Sequence, residues 1–462
     1  MLKNHKHAKG FKRKLGIEKK VNKAKKESKK IFMKKSCLLI VLIVALFQFS
    51  CKSKNVYNGL YETNRYQILL NNGNYLIKDK FSENFLCCDS LSWGSYEKIK
   101  NNSFIKLTST ESFLEKYINN PSPTGFEWEG QKIWLDYIKP YVDEHYVDNY
   151  GTAVAVINPK AKYKVVIEAH ADEISWFVNY ITSDGLIYVI RNGGSDHQIV
   201  PSKRVIIHTD NGPVTAVFGW PAIHTRGAGE KEEAPALKNI FLDCGCTSKE
   251  EVEKLGIHVG CVITYEDQFM VLNNRYYVGR ALDNRVGGFM IAEVARLLHE
   301  NKKKLDFGLY IVNAVQEEIG LRGAEMIANR IKPDVAIITD VTHDTTTPMI
   351  SKITQGDLSC GKGPVVSYAP AVQVNLNKLL VETAQKNNIP FQRQASSRST
   401  GTDTDAFAYS NDGVVSALIS LPLRYMHTTV EMVHKEDVDN VINLIYHALL
   451  ALKNNQDFRY IK

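Results

Sequence analysis

Residues 165–178, VVIEAHADEISWFV, constrain this chain more than any other stretch, because an apolar strand ends there abruptly in His170, Ala171, Asp172 and Glu173. A strand that delivers a histidine and two carboxylates to its own carboxyl end has the form of half a metal site. Alone, a strand-end histidine is more often a hydrogen-bonded structural residue than a ligand, so the weight falls on what recurs downstream.

From Glu111 onward, strands and helices alternate. Strands are expected to end at His170 and to cover 307–315, 335–340 and 415–420; helices are expected near 286–302, after 323, near 378–387 and from 437. This rhythm predicts an α/β fold with a mainly parallel sheet flanked by helices on both faces. Between 181 and 268 it gives way to short β-branched runs broken by Gly and Pro, among them RVIIHT, VTAVFG and VITYED. That change predicts a β-rich domain inserted between 111–180 and 269–462, the two halves of the sheet domain. Residues 51–110 read as a separate small β module. Its YQILL and YLIKD runs flank Asn71-Asn72-Gly73-Asn74 as a hairpin does, and further aromatic-rich strand candidates lie on either side of Asn101-Asn102.

The formal charge of +8 belongs to the start of the chain: residues 1–50 hold 15 Lys and Arg against Glu18 and Glu27, which leaves about −5 for the remainder. The basic run 19–30 lacks interleaved aromatics, which argues against nucleic-acid binding, and Met33-Lys34-Lys35 follows so closely that Met33 reads as the true first residue. Residues 37–49, CLLIVLIVALFQF, are too short to span a bilayer comfortably and match the apolar core of a secretory signal. Ser50 and Cys51 close that core as in a bacterial lipoprotein. Residues 1–50 are therefore expected to be a basic leader and signal peptide, with Cys51 lipidated and the chain anchored in the bacterial cell envelope, facing the periplasm or the cell surface. Cys87, Cys88, Cys244, Cys246, Cys261 and Cys360 show neither zinc-ribbon nor redox spacing. No phosphate loop, dinucleotide-binding glycine fingerprint or G-x-S-x-G elbow is present, which sets aside nucleotide-dependent and serine-hydrolase chemistry.

Four further polar clusters fall at expected strand ends or loops: Ala281-Leu282-Asp283-Asn284-Arg285, Gln316-Glu317-Glu318, Thr339-Asp340-Val341 and Met426-His427-Thr428. In open α/β sheets, sites assemble beyond the carboxyl ends of strands, so these clusters can converge on His170. A mixture of imidazole and carboxylate suits zinc, cobalt or manganese better than calcium or magnesium. With Asp283 as a bridge, His170 and Asp340 complete one site and Glu318 and His427 a second. Three carboxylates and a hydroxide then balance two divalent cations. Glu317, beside the ligand Glu318, is the candidate base, and Asp172 the residue that orients the imidazole of His170.

The motifs EAHADEI, VGRALDNRVGG, VQEEIGLRGA, TDVTHDTTTP, GKGP, GTDTDAF and RYMHTTVEM occur in the order seen in the TET aminopeptidases, also catalogued as glutamyl aminopeptidases or cellulase M. The resemblance covers about residues 111–455. It implies a zinc-exopeptidase type of fold in which the β-rich insertion serves dimerisation, with short peptides as substrates and at least a dimeric assembly. It also implies that His170, Asp283, Glu318, Asp340 and His427 are metal ligands, that Asp283 bridges and precedes a cis peptide, that Glu317 is the catalytic base and that Asp172 is the catalytic aspartate. Ser175 stands where the family usually has Gly, and the leader and the 51–110 module are additions to the family's usual extent. Two other readings are kept: a glycoside hydrolase, whose two-carboxylate chemistry has no need of two histidines, and a non-catalytic cell-envelope binding protein on a peptidase fold.

Overall fold

The structure is a computed structural model that describes residues 59–62, 66–71, 74–79, 103–226 and 234–461. The leader, Met33, Cys51, Cys87, Cys88 and the strand candidate before Asn101 lie outside the described residues. The chain divides into two units, 1–106 and 107–462.

In the first unit, β1 (Gly59–Glu62), β2 (Tyr66–Asn71) and β3 (Asn74–Asp79) form an antiparallel sheet in that order. Asn71 pairs with Asn74, the register of a hairpin connected by two residues. The strand expected after Asn102 does not form. Ser103–Asn119 is a helix instead, because Phe113, Leu114, Tyr117 and Ile118 recur at helical spacing and are buried along one stripe.

The strands of the second unit are, in chain order, β4 (Glu144–Val147), β5 (Ala153–Ile157), β6 (Lys164–His170), β7 (Ser175–Ile181), β8 (Ile187–Asn192), β9 (Arg204–Thr209), β10 (Gly212–Phe218), β11 (Phe241–Asp243) and β12 (Val262–Tyr265). They continue with β13 (Met270–Leu272), β14 (Tyr276–Gly279), β15 (Gly308–Ala314), β16 (Val335–His343), β17 (Val365–Tyr368), β18 (Gln392–Ala395), β19 (Val415–Arg424) and β20 (Glu431–His434). Eleven of them make one sheet, ordered β13-β14-β20-β19-β16-β6-β15-β5-β4, with β17 beside β19 and β18 beside β17.

The sheet matches the expectation of parallel strands at its centre and in the β17–β18 pair. β15, β6, β16 and β19 run parallel, while β4, β5, β13, β14 and β20 are attached antiparallel. The sheet is therefore mixed. The physical reason is that the outer strands are joined by connections too short to hold a crossover helix, as between β4 and β5 or β13 and β14.

Alternation along the central strands sorts their side chains onto two faces. Val165, Ile167 and Ala169 of β6, with Ile337 of β16 and Ala417, Ile419 and Leu421 of β19, join the larger core formed with the helices Leu282–Glu300 and Lys435–Ala451. Val166 and Ile338 belong to a smaller core that includes Ala324, Ile327 and Ala328 of the helix Arg322–Ile331 and Phe407 of the short helix Asp403–Ala408. His170 and Asp340 continue this second row, one strand apart.

β7 to β12 close into a six-stranded barrel of order β10-β11-β8-β7-β12-β9. Its first strand begins at Ser175, so the β-rich segment starts inside the stretch expected to belong to the sheet domain. Trp176, Val178, Ile187, Ile207, Phe218, Leu242 and Ile263 fill its interior. The indole N–H of Trp176 is satisfied by the hydroxyl of Tyr265 at 3.2 Å.

Gly323 shows how tightly the sheet meets the helix that follows β15: a Cβ there would lie 2.2 Å from the Val315 carbonyl oxygen. Gly323→Ala is expected to destabilise the fold by roughly 1–3 kcal/mol, visible as a lower Tm in calorimetry; an unchanged Tm would refute this account of the contact.

Candidate metal centre

Four parallel strands bring the polar clusters to one place. His170 ends β6, Gln316-Glu317-Glu318 follows β15, Asp340 lies on β16 beside Ser420 of β19, and His427 follows β19. Asp283 arrives from the opposite side, near the start of the helix Leu282–Glu300, where Asp283 and Asn284 depart from helical geometry and their peptide bond is cis. The convergence beyond the carboxyl ends of the strands is the arrangement expected of an open α/β sheet.

The six side chains form overlapping sets. His170, Asp283 and Asp340 offer ligand atoms within 4.8 Å of one another, as do Asp283, Glu318 and His427, and His170, Glu317 and Glu318. Asp283 lies between the first two sets: its Oδ1 is 3.2 Å from His170 Nε2 and its Oδ2 is 3.2 Å from His427 Nε2. Glu318 is 3.5 Å from His427 Nε2, and Asp340 and Glu317 are each 3.8 Å from His170 Nε2.

The electrostatics fit a cation-binding role. No Lys or Arg is among the ion pairs of this cluster, so protons are left to balance its carboxylates. Burial pushes Glu317 up to about 10 and Asp340 up to about 7, with neighbouring acids adding to the effect. Burial would lower both imidazoles. The surrounding carboxylates override it, raising His170 well above its ordinary value and His427 to about 12. Residues of this chemistry, drawn together and holding protons where divalent cations would neutralise them, fit two metal ions.

The second layer of hydrogen bonds sets the orientation of the ligands. Asp172 Oδ1 lies 3.3 Å from His170 Nδ1, which leaves Nε2 facing the cluster. Asp172 also accepts from Thr124 Oγ1 at 2.9 Å and from the backbone N–H groups of Glu317 and Glu318 at 3.0 and 3.2 Å. It therefore holds the segment that carries the candidate base as well as the imidazole.

Four contributors were not picked out from sequence. Glu431, in RYMHTTVEM, accepts from the N–H of Asp283 at 3.0 Å with one oxygen and from the N–H of His427 at 2.8 Å with the other. Its spacing of four residues from His427 was the available signal. Glu168, two residues before His170 in EAHADEI, and Asp403 of GTDTDAF are both buried and interact electrostatically with each other and with His170 and Asp340. Burial and each other's proximity push Asp403 well above the usual carboxylate range, and burial takes Glu168 up to about 8. Gly194 follows β8 of the barrel, and its carbonyl lies 3.3 Å from His427 Nδ1.

Glu173 has a structural role: its carboxylate pairs with the buried Arg280 and accepts from the N–H of Ser122 at 2.7 Å. GKGP is likewise structural, since Asp437 accepts from the N–H groups of Gly361 and Gly363 at 2.6 and 2.7 Å.

The sequence profile of the M42 glutamyl aminopeptidase family matches residues 151–444. The chain belongs to this family. It is similar to the lysyl aminopeptidase of Pyrococcus furiosus, 33% identical over 342 residues that make up 74% of this chain and 96% of the relative. Among solved structures it is similar to a TET aminopeptidase from a marine sediment Thaumarchaeota archaeon, with a TM-score of 0.71 and 28% identity over 74% of this chain and 96% of that one. It is also similar to the TET1 peptidase of Pyrococcus horikoshii, which can assemble into a tetrahedron or a large octahedral shell, with a TM-score of 0.66 and 26% identity over 74% of this chain and 99% of that one. The enzyme is thus an aminopeptidase, a hydrolase of a di-metal family.

A Cβ at Gly194 would sit 2.6 Å from His427 Nδ1. Gly194→Ala is expected to weaken one of the two metals by about 10- to 100-fold while circular dichroism stays unchanged. Metal titration followed by calorimetry checks this, and two full-affinity sites in the variant would refute it.

Proposed function

We propose that the enzyme removes amino-terminal residues from short peptides at a centre of two divalent cations, with zinc preferred and cobalt or manganese acceptable. His170 and Asp340 would hold one cation and Glu318 and His427 the other, with Asp283 shared between them. The observation that carries this reading is the position of Asp283, whose two carboxylate oxygens each lie 3.2 Å from a different imidazole. When bound, two such cations lower the pKa of a shared water and polarise the scissile carbonyl.

Glu317 would take a proton from the attacking water and deliver it to the nitrogen of the leaving amine. To do so it must be ionised, and in the cluster alone burial holds its proton on. Beside bound divalent cations the Glu317 carboxyl would be favoured in its ionised form, so its readiness as a base would depend on metal occupancy. Asp172 keeps His170 and the Glu317 segment in register throughout.

The barrel is proposed to pair two copies of the chain. Tyr180, Ile190 and Val217 stand exposed on β7, β8 and β10, which supports a contact between copies there. Among the described residues no helix is long and apolar enough to cross a membrane. Anchoring is assigned instead to the leader, with a lipid on Cys51 and the catalytic unit held at the periplasmic or outer face of the bacterial envelope. Metabolic labelling with a fatty acid should mark the wild type and leave Cys51→Ala unmarked; an unlabelled wild type refutes the lipid.

Protein stripped with a chelator is expected to lose cleavage of amino-acid p-nitroanilides and to regain it with zinc or cobalt. Glu317→Gln should keep both metals and lose turnover by about 10³-fold or more. Activity indifferent to the chelator overturns the metal mechanism, and an active Glu317→Gln overturns the base.

A further inference from the structure

We infer that Glu127 is a positioning residue for the reaction: with Asp172 it grips three successive backbone N–H groups at the end of β15 and so fixes where Glu317 and Glu318 point. This inference rests on the reading of Glu317 as the base and Glu318 as a ligand.

The geometry is that of two carboxyl groups laid along one stretch of backbone. The N–H of Gln316 donates to Glu127 Oε1 at 3.3 Å, that of Glu317 to Asp172 Oδ1 at 3.0 Å and that of Glu318 to Asp172 Oδ2 at 3.2 Å. Gln316 needs such a hold, because its φ of +58° is a left-handed conformation that a side chain with a Cβ disfavours. Reversal of the chain at that residue lets neighbouring side chains serve different partners. Glu317 lies 3.8 Å from the imidazole of His170, and Glu318 lies 3.5 Å from that of His427.

Glu127 is itself held from a distant part of the sequence. It is 2% exposed and also accepts from the N–H of Gly125 at 2.7 Å. The segment before it is fixed by Thr124, which donates its N–H to the Glu173 carbonyl and its hydroxyl to Asp172. The helix Trp128–Ile138 that follows is pinned to β15 by Gln131, whose amide donates to the Asn313 carbonyl at 2.8 Å and accepts from the Asn313 side chain at 2.7 Å. Glu127, Thr124, Asp172 and the Gln316–Glu318 stretch are therefore one hydrogen-bonded unit.

Burial and the charge of Asp172 push the Glu127 carboxyl up to about 8. An acid is kept here against an electrostatic cost, and what it presents to Gln316 is an acceptor oxygen. A glutamine would present the same oxygen in the same place.

The test is steady-state kinetics on metal-loaded full-length protein, with metal content and Tm measured for every variant. E127A is expected to lower kcat by about tenfold or more while KM stays within about twofold and both metals remain bound, since misplacement of a base acts on the chemical step. E127Q is expected to restore kcat to within about threefold of wild type. If E127A does not fold, E127M, which keeps side-chain length but offers no oxygen acceptor, is read in its place.

A wild-type kcat in E127A, a loss of metal with the loss of activity, or a failure of E127Q to rescue would each overturn the positioning role. E317Q measured alongside separates the two ideas. An active E317Q overturns the base, whereas an inert E317Q beside a fully active E127A overturns the role of Glu127 alone.

Discussion

The carboxylate of Asp172 is the point at which the site is tied together. It is fully buried, and its two oxygens serve an imidazole, a hydroxyl and two backbone N–H groups drawn from three separate stretches of chain. Such a group is costly to desolvate unless its lone pairs are taken up. Here they are taken up by the elements that must be aligned for metal binding, so the requirement to satisfy one buried acid fixes the position of a histidine relative to the candidate base. Glu431 does the same on the other side, joining the backbone of Asp283 to that of His427.

This arrangement answers a problem of charge. Four carboxylates and two imidazoles converge without a Lys or Arg among their ion pairs, and like charges at such distances disfavour one another strongly when buried. The fold holds them by hydrogen bonds from the cluster's own backbone N–H groups to Asp172 and Glu431, and divalent cations would supply the attraction. The same logic places the site on the thinner face of the sheet. There β6 and β16 carry Val166 and Ile338 into a small core, and further along the same face His170 and Asp340 emerge towards the strand ends. The larger core on the opposite face provides the rigid backing.

Much of this was legible from residue order. The apolar runs ending in His170 and Asp340 marked central strands, and the polar residues that follow them fell where open sheets place their sites. All seven residues singled out for metal or proton chemistry converge. Less was legible at the edges: short hairpins attach antiparallel strands without leaving a mark that distinguishes them from parallel ones, and a run such as SFIKLTST reads as strand until the burial of Phe113, Leu114, Tyr117 and Ile118 shows a helical stripe. Glu127 was not legible because its partners are backbone N–H groups, which every residue possesses and no motif records.

What the sequence determined by itself was the inventory and the order. It supplied an α/β alternation, a β-rich insertion, two histidines and the carboxylates able to hold and use divalent cations, because side-chain chemistry and hydrophobic periodicity are properties of residues and their spacing. What only the tertiary structure decided was the division of labour among acids of identical chemistry. Asp283 faces two imidazoles, Asp172 faces one imidazole and two peptide groups, and Glu127 faces a single left-handed turn. A carboxylate is made a ligand, a base or a brace by the few ångströms around its oxygens, and those distances exist only after strands far apart in sequence have been packed side by side.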